Sequence, residues 1–154
     1  MKVIINLAKF FVVLFILTGC SKDSPTSSEQ SEGEAYLETN GKREGVITTS
    51  SGLQYEILIQ GDGAKPTISS TVVVHYRGTK IDGTEFDSSY GGAPPTFSVS
   101  GVIAGWPEAL LLMNVGSKYR LVIPPSLAYG KQGAGTSIGP NEVLIFEIEL
   151  LGIQ

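Results

Sequence analysis

The chain has little of what most catalytic and metal sites are built from. It carries one cysteine, one tryptophan, two methionines and one histidine in 154 residues. A lone Cys20 excludes an intramolecular disulfide and any cysteine-based zinc site. A lone His75 leaves no second imidazole for a metal cluster, and no His/Ser or Cys/His pair for nucleophilic catalysis is evident in the sequence. Basic residues are few, 11 against 15 acidic ones, for a net charge of −4. The first 19 residues carry Lys2 and Lys9 and no acid, so the remainder is more acidic still. With no basic cluster, nucleic acid is excluded as a partner. No internal repeat is visible, and no motif asks for a cofactor or a metal.

What is present begins with one apolar run, Phe10-Phe11-Val12-Val13-Leu14-Phe15-Ile16-Leu17, preceded by Lys2 and Lys9. It is short for a membrane span and suits a secretory signal. It ends in Leu17-Thr18-Gly19-Cys20, which resembles a bacterial lipobox. In such signals the cysteine is acylated and becomes the new amino terminus. Each buried CH₂ of an acyl chain contributes about 0.8 kcal/mol to membrane anchoring. In Gram-negative lipoproteins of this kind, Ser21 rather than Asp after the cysteine favours the outer membrane. The expected organisation is a signal peptide at 1–19, a lipidated, palmitate-bearing Cys20 with a flexible tether to residue 45, and a folded domain at 46–154. The expected location is the cell envelope, on the periplasmic face or at the cell surface. Residues 21–45 hold few large apolar groups, so no helix is expected there.

Past residue 45 the pattern is that of strands. Leu53, Tyr55, Ile57 and Ile59 alternate with Gln54, Glu56, Leu58 and Gln60. Thr71 to Arg77 is β-branched and aromatic, with Val72, Val74 and Tyr76 on one face and His75 on the other. Asp82-Gly83 is a hairpin turn signal. Short strands are expected at Phe86-Asp87 and at Thr96 to Ser100. Tyr119 to Ile123 is a strand stopped by Pro124-Pro125. Val143 to Leu151 places Leu144, Phe146, Ile148 and Leu150 on one face.

One segment reads as helix: Trp106-Pro107-Glu108-Ala109-Leu110-Leu111-Leu112-Met113, entered through Gly105, expected to make a tight turn. About two turns cannot stand alone in water. The helix must lie on a sheet, with Leu110, Leu111 and Met113 as its apolar side. The expected fold is α+β, a curved antiparallel sheet of about five strands wrapped on one short α-helix. Trp106 is then either a core plug or the floor of a pocket.

Val74-His75-Tyr76, Asp82-Gly83, Phe86-Asp87-Ser88-Ser89, Val102-Ile103, Gly105-Trp106, Ala128-Tyr129-Gly130 and Leu144 to Leu150 follow in one order and spacing. Together they resemble the FKBP-type peptidyl-prolyl cis-trans isomerases, over roughly residues 50–154. The resemblance implies that Trp106 is the floor of a substrate pocket. It makes Tyr76, Phe86 and Phe146 the aromatic walls, Val102 and Ile103 an aliphatic rim, and Asp87 an edge residue near Tyr76. The Ile103 N–H and the Tyr129 hydroxyl would donate to substrate carbonyls. Ile138 would close one side, and Phe97 would add to the substrate-binding surface as a neighbouring core ring. Proline-containing polypeptides are the implied substrates, FK506-type macrolides the implied inhibitors, and no cofactor is needed. With no helix expected at residues 21–45, the resemblance also implies a monomer.

Three positions depart from the family pattern. No Arg follows Phe86-Asp87, where Tyr90-Gly91-Gly92-Ala93 stands. A wall residue common before the helix is replaced near Pro94-Pro95. Gly139 stands where a Pro often precedes Pro140. These departures imply a slightly wider pocket and a looser loop. From the residues alone other roles stay open: core packing for Phe86 and Phe146, backbone-bonded hydroxyls for Tyr76 and Tyr129, a turn carboxylate for Asp87. A non-catalytic chaperone or peptide-binding module on the same fold is the alternative function.

Overall fold

A computed structural model describes residues 25–154, so the signal segment and Cys20 lie outside the described residues. The main body is one antiparallel sheet. Its strands are β1 (Val46–Thr48), β2 (Gln54–Ile59), β3 (Thr71–Lys80), β4 (Glu85–Ser88), β5 (Thr96–Ser98), β6 (Lys118–Ile123) and β7 (Leu144–Ile153). The order is β1-β2-β6-β7-β3-β4, with β5 also paired to β3. The sheet has seven strands where about five were expected. β4 and β5 fall where short strands were anticipated, and the addition is β1, a mostly exposed three-residue edge piece that carries little hydrophobic signal. The long β3 pairs with β7 from Val72↔Ile153 to Lys80↔Leu144, with a register shift after Val73. Along its other edge β5 covers the first residues of β3 and β4 the later ones. Tyr76 falls in the gap between them.

The period of two sorts the side chains as expected. Val72 and Val74 on β3, Tyr119, Leu121 and Ile123 on β6, and Leu144, Phe146, Ile148 and Leu150 on β7 face one core. The helix α2 (Gly105–Leu110) lies against that face, burying Trp106, Ala109 and Leu110, with Met113 beyond its end. Leu111, expected on the apolar side, is 38% exposed because it falls past the last turn. Gly105 does not act as a turn glycine. Its φ is not positive. A Cβ there would sit 2.7 Å from Ile123 Cγ2, so glycine is needed for close packing of helix on sheet. Trp106 N–H donates to the Ile103 carbonyl at 2.9 Å and closes the entry to the helix.

The expected tether is corrected. Residues Pro25–Gly41 form a helix, α1, whose carboxyl-terminal half packs on the outer face of the sheet. Tyr36, Leu37 and Ile81 rest on Val122, Val143 and Ile145. At Gly33 a Cβ would be 2.9 Å from Val143 Cγ2, so helix and strand end meet closely. The rest of the attachment is polar, which is why apolar content did not reveal it. Asn40 Nδ2 donates to Gln54 Oε1 at 2.7 Å, and Gln54 Nε2 donates to the Leu37 carbonyl at 2.8 Å. Arg120 donates to the Tyr36 hydroxyl at 2.7 Å and to Asn40 Oδ1 at 3.1 Å. Arg43 adds a further bond to Asn40 Oδ1 at 3.0 Å. This helix also removes the ground on which a monomer was expected.

Asn40 is 3% exposed and sits at the centre of that latch. Asn40→Ala leaves Gln54 and both guanidinium groups short of partners, and should destabilise the chain by about 2 kcal/mol. Urea denaturation against the parent measures it.

Candidate active site

β3 delivers Tyr76, and β4 delivers Phe86 and Asp87. β5 carries Phe97, the turn before α2 carries Val102 and Ile103, and α2 carries Trp106. The loop between β6 and β7 presents Tyr129, and β7 presents Phe146. These residues, with Gly101, line one cavity of about 500 Å³. Trp106 and Phe146 are each 4% exposed and form its depth. The rings of Tyr76, Phe97 and Phe146 stand nearly edge-on to the indole, with centroids 5.3, 5.6 and 5.4 Å away. Phe86 meets Phe146 at 5.5 Å in the same geometry. Such T-shaped contacts satisfy the ring quadrupoles. Trp106 Nε1 is the one buried side-chain polar atom left without a partner among the described residues. An orphan donor of that kind costs about 1–3 kcal/mol where no partner meets it.

At the mouth the Tyr76 hydroxyl donates to Asp87 Oδ2 at 2.7 Å. Burial, then the Asp87 carboxylate that accepts its proton, push the Tyr76 phenol up to about 12. Tyr76 is therefore a neutral donor throughout the physiological range. Two further donors point to use by a ligand. The Tyr129 hydroxyl has no hydrogen-bond acceptor among the described residues. The Ile103 N–H likewise has none. Tyr129 is 40% exposed, on a loop tied down by several bonds. Asn141 N–H donates to the Gly130 carbonyl, Ala134 and Ile138 pair through their backbones, and Gly139 N–H donates to Glu142 Oε2. Glu142 is in turn paired with Lys80 at 2.9 Å.

Ile138, expected to close one side, is 8% exposed and packs in the core cluster that also holds Trp106 and Phe146. Its backbone pairs with Ala134, and it is not among the residues that line the cavity. His75 faces away from the cavity, 3.0 Å from Ser89 Oγ and stacked on Tyr90 at 5.0 Å.

Sequence reasoning did not single out Gly78, and it met Ser89 only as part of the Phe86-Asp87-Ser88-Ser89 motif, with no role assigned. A Cβ at Gly78 would lie 2.6 Å from Phe86 Cζ and 2.9 Å from Phe146 Cε1, so this glycine is the seat on which two wall rings rest. A glycine inside a β-branched strand was the available signal. Ser89 Oγ accepts from the Tyr76 N–H at 2.8 Å and completes the ladder in the gap between β4 and β5.

A family model described as FKBP-type peptidyl-prolyl cis-trans isomerase matches residues 63–151. The chain belongs to the FKBP-type peptidyl-prolyl cis-trans isomerase family. A second model, the domain amino terminal to FKBP-type peptidyl-prolyl isomerase, matches residues 21–57 and so includes α1. The chain is 58% identical over 123 residues to the FKBP-type 22 kDa peptidyl-prolyl cis-trans isomerase of Escherichia coli, covering 79% of itself and 60% of that protein. It is 45% identical over 149 residues to the outer membrane protein MIP of Legionella longbeachae, covering 96% of itself and 64% of that protein. The crystal structure of FkpA from Escherichia coli superposes with a TM-score of 0.81 at 47% identity, over 84% of this chain and 61% of that one. The chain thus spans less than two thirds of the length of these relatives.

The Tyr76–Asp87 pair makes a prediction within this FKBP-type site. The folded-state pKa of Tyr76 is raised, so its contribution to stability is complete below pH about 10 and is lost as pH rises toward about 12. Ultraviolet titration of phenolate should show a late-titrating tyrosine that disappears in Tyr76→Phe and titrates earlier in Asp87→Asn.

Proposed function

We propose that the chain is a peptidyl-prolyl cis-trans isomerase acting on X–Pro bonds of exported proteins. The single observation that carries this reading is an aromatic cavity with unpaired donors, Tyr129 Oη and Ile103 N, at its mouth. Rotation about a peptide bond faces a barrier of about 18–20 kcal/mol, because the planar amide is stabilised by resonance. Water favours that planar, dipolar ground state over the twisted one. A prolyl ring seated on Trp106 between Tyr76, Phe86, Phe97 and Phe146 leaves water behind, and the amide loses the solvation that holds it flat. The Tyr129 hydroxyl and the Ile103 N–H hold the flanking carbonyls while the bond turns. Val102 and Ile103 shape the rim. No bond to the enzyme is made, so no nucleophile or base is required. A 10⁴-fold acceleration asks for about 5.5 kcal/mol, within reach of desolvation plus two or three directed hydrogen bonds.

The same reading places the protein in the cell envelope, with Cys20 acylated and the domain held to a membrane, the outer one favoured. The apolar run that ends in Leu17-Thr18-Gly19-Cys20 supports this. So does the printed name of the Legionella relative, an outer membrane protein.

In a proline-peptide isomerisation assay, Tyr129→Phe should lower kcat/KM by about tenfold, while Phe86→Ala and Trp106→Leu should lower it by about a hundredfold. An FK506-type macrolide should compete with the peptide. A parent rate no higher than the uncatalysed one ends the proposal. Separately, Cys20→Ser should move the protein from the membrane to the soluble fraction, and continued sedimentation with membranes would remove the anchor from the account.

A further inference from the structure

Asp87 is the one charged side chain lining the cavity. It is exposed at the rim, and its backbone lies opposite Gly78 on β3. The Tyr76 hydroxyl fixes Oδ2, while Oδ1 has no partner among the described residues. No ion pair among the described residues includes Asp87, and several of the cations are paired with other carboxylates. Arg77 is held by Glu85 at 2.7 Å, Lys80 by Glu142 at 2.9 Å and Lys118 by Glu147 at 3.3 Å. Arg120 is spent on α1, on the outer face. Lys65 and Lys131 have no carboxylate partner, and neither lines the cavity. An apolar hollow thus carries one anchored, uncompensated negative charge at its edge, on a chain whose net charge has the same sign.

We propose that Asp87 sets the sequence preference of this site, favouring prolines flanked by Lys or Arg and disfavouring those flanked by Asp or Glu. The assignment rests on the isomerase reading for the seat of the proline, but charge preference has its own readout. A basic side chain can lay its alkyl stem on the Phe86 or Val102 surface and bring its charged head to Oδ1. An acidic one meets a carboxylate that the Tyr76 bond keeps from turning away. Aromatic surroundings raise the local field, while exposure to solvent keeps the effect moderate and sensitive to salt.

The test uses matched peptides with Lys, Leu or Glu immediately before proline, and a second set with the same residues immediately after it. Both kcat/KM and binding, read by the fluorescence of Trp106 as the sole tryptophan, are measured. Lys should exceed Glu by about five- to tenfold at low ionic strength in at least one set, and the ratio should shrink at about 0.5 M salt. Asp87→Asn should bring the ratio close to one, whereas Tyr76→Phe, which keeps the charge but frees the carboxylate to turn, should reduce the ratio without abolishing it. Equal handling of Lys and Glu in both sets, or a preference that survives Asp87→Asn, overturns the proposal. A charge preference seen in binding without any turnover keeps the Asp87 assignment and ends the isomerase reading instead.

Discussion

The structure depends on how closely a six-residue helix can be pressed against the sheet. Alone, a helix of that length would not form in water. Here its first residue is a glycine at van der Waals distance from Ile123, and its second is Trp106, which fills the space that the close approach leaves under the strands. Any side chain at Gly105 would lift the helix and with it the indole. The aromatic hollow follows from this seating. Rings from β3, β5 and β7 stand nearly edge-on to the indole, and Phe86 from β4 stands edge-on to Phe146.

Gly78 repeats the device on the opposite wall. Removing a side chain from the middle of a strand lowers strand stability, but it lets Phe86 and Phe146 rest on the backbone itself. Two glycines therefore set the depth and one wall of the cavity, and neither has φ in the left-handed region. Polar groups are confined to the mouth. There the Tyr76–Asp87 bond, the unpaired Tyr129 hydroxyl and the free Ile103 N–H meet a dry interior, and directed hydrogen bonds are strongest at such a boundary.

Much of the sheet was legible because burial repeats with a period of two. The strands around Tyr76, Leu121 and Phe146 stood out, since each buries one side against a single core. The three-residue edge strand β1 did not, because a strand so short shows no period. α1 was misread as a tether for a different reason. Its attachment runs through Asn40, Gln54, Arg120 and a backbone carbonyl, and a polar residue in a sequence gives no sign of the partner that waits for it across the fold.

By itself the sequence determined the strand faces, the short helix that needs a sheet and the set of aromatic residues worth gathering, because each follows from local spacing and side-chain chemistry. Only the tertiary structure decided that those rings share one cavity, that Gly78 and Gly105 serve as seats rather than turns, that Asp87 is anchored by Tyr76 with no cation beside it, and that residues 25–41 fold. All four depend on distances between segments far apart in the chain, and those are set by packing and register rather than by any local pattern.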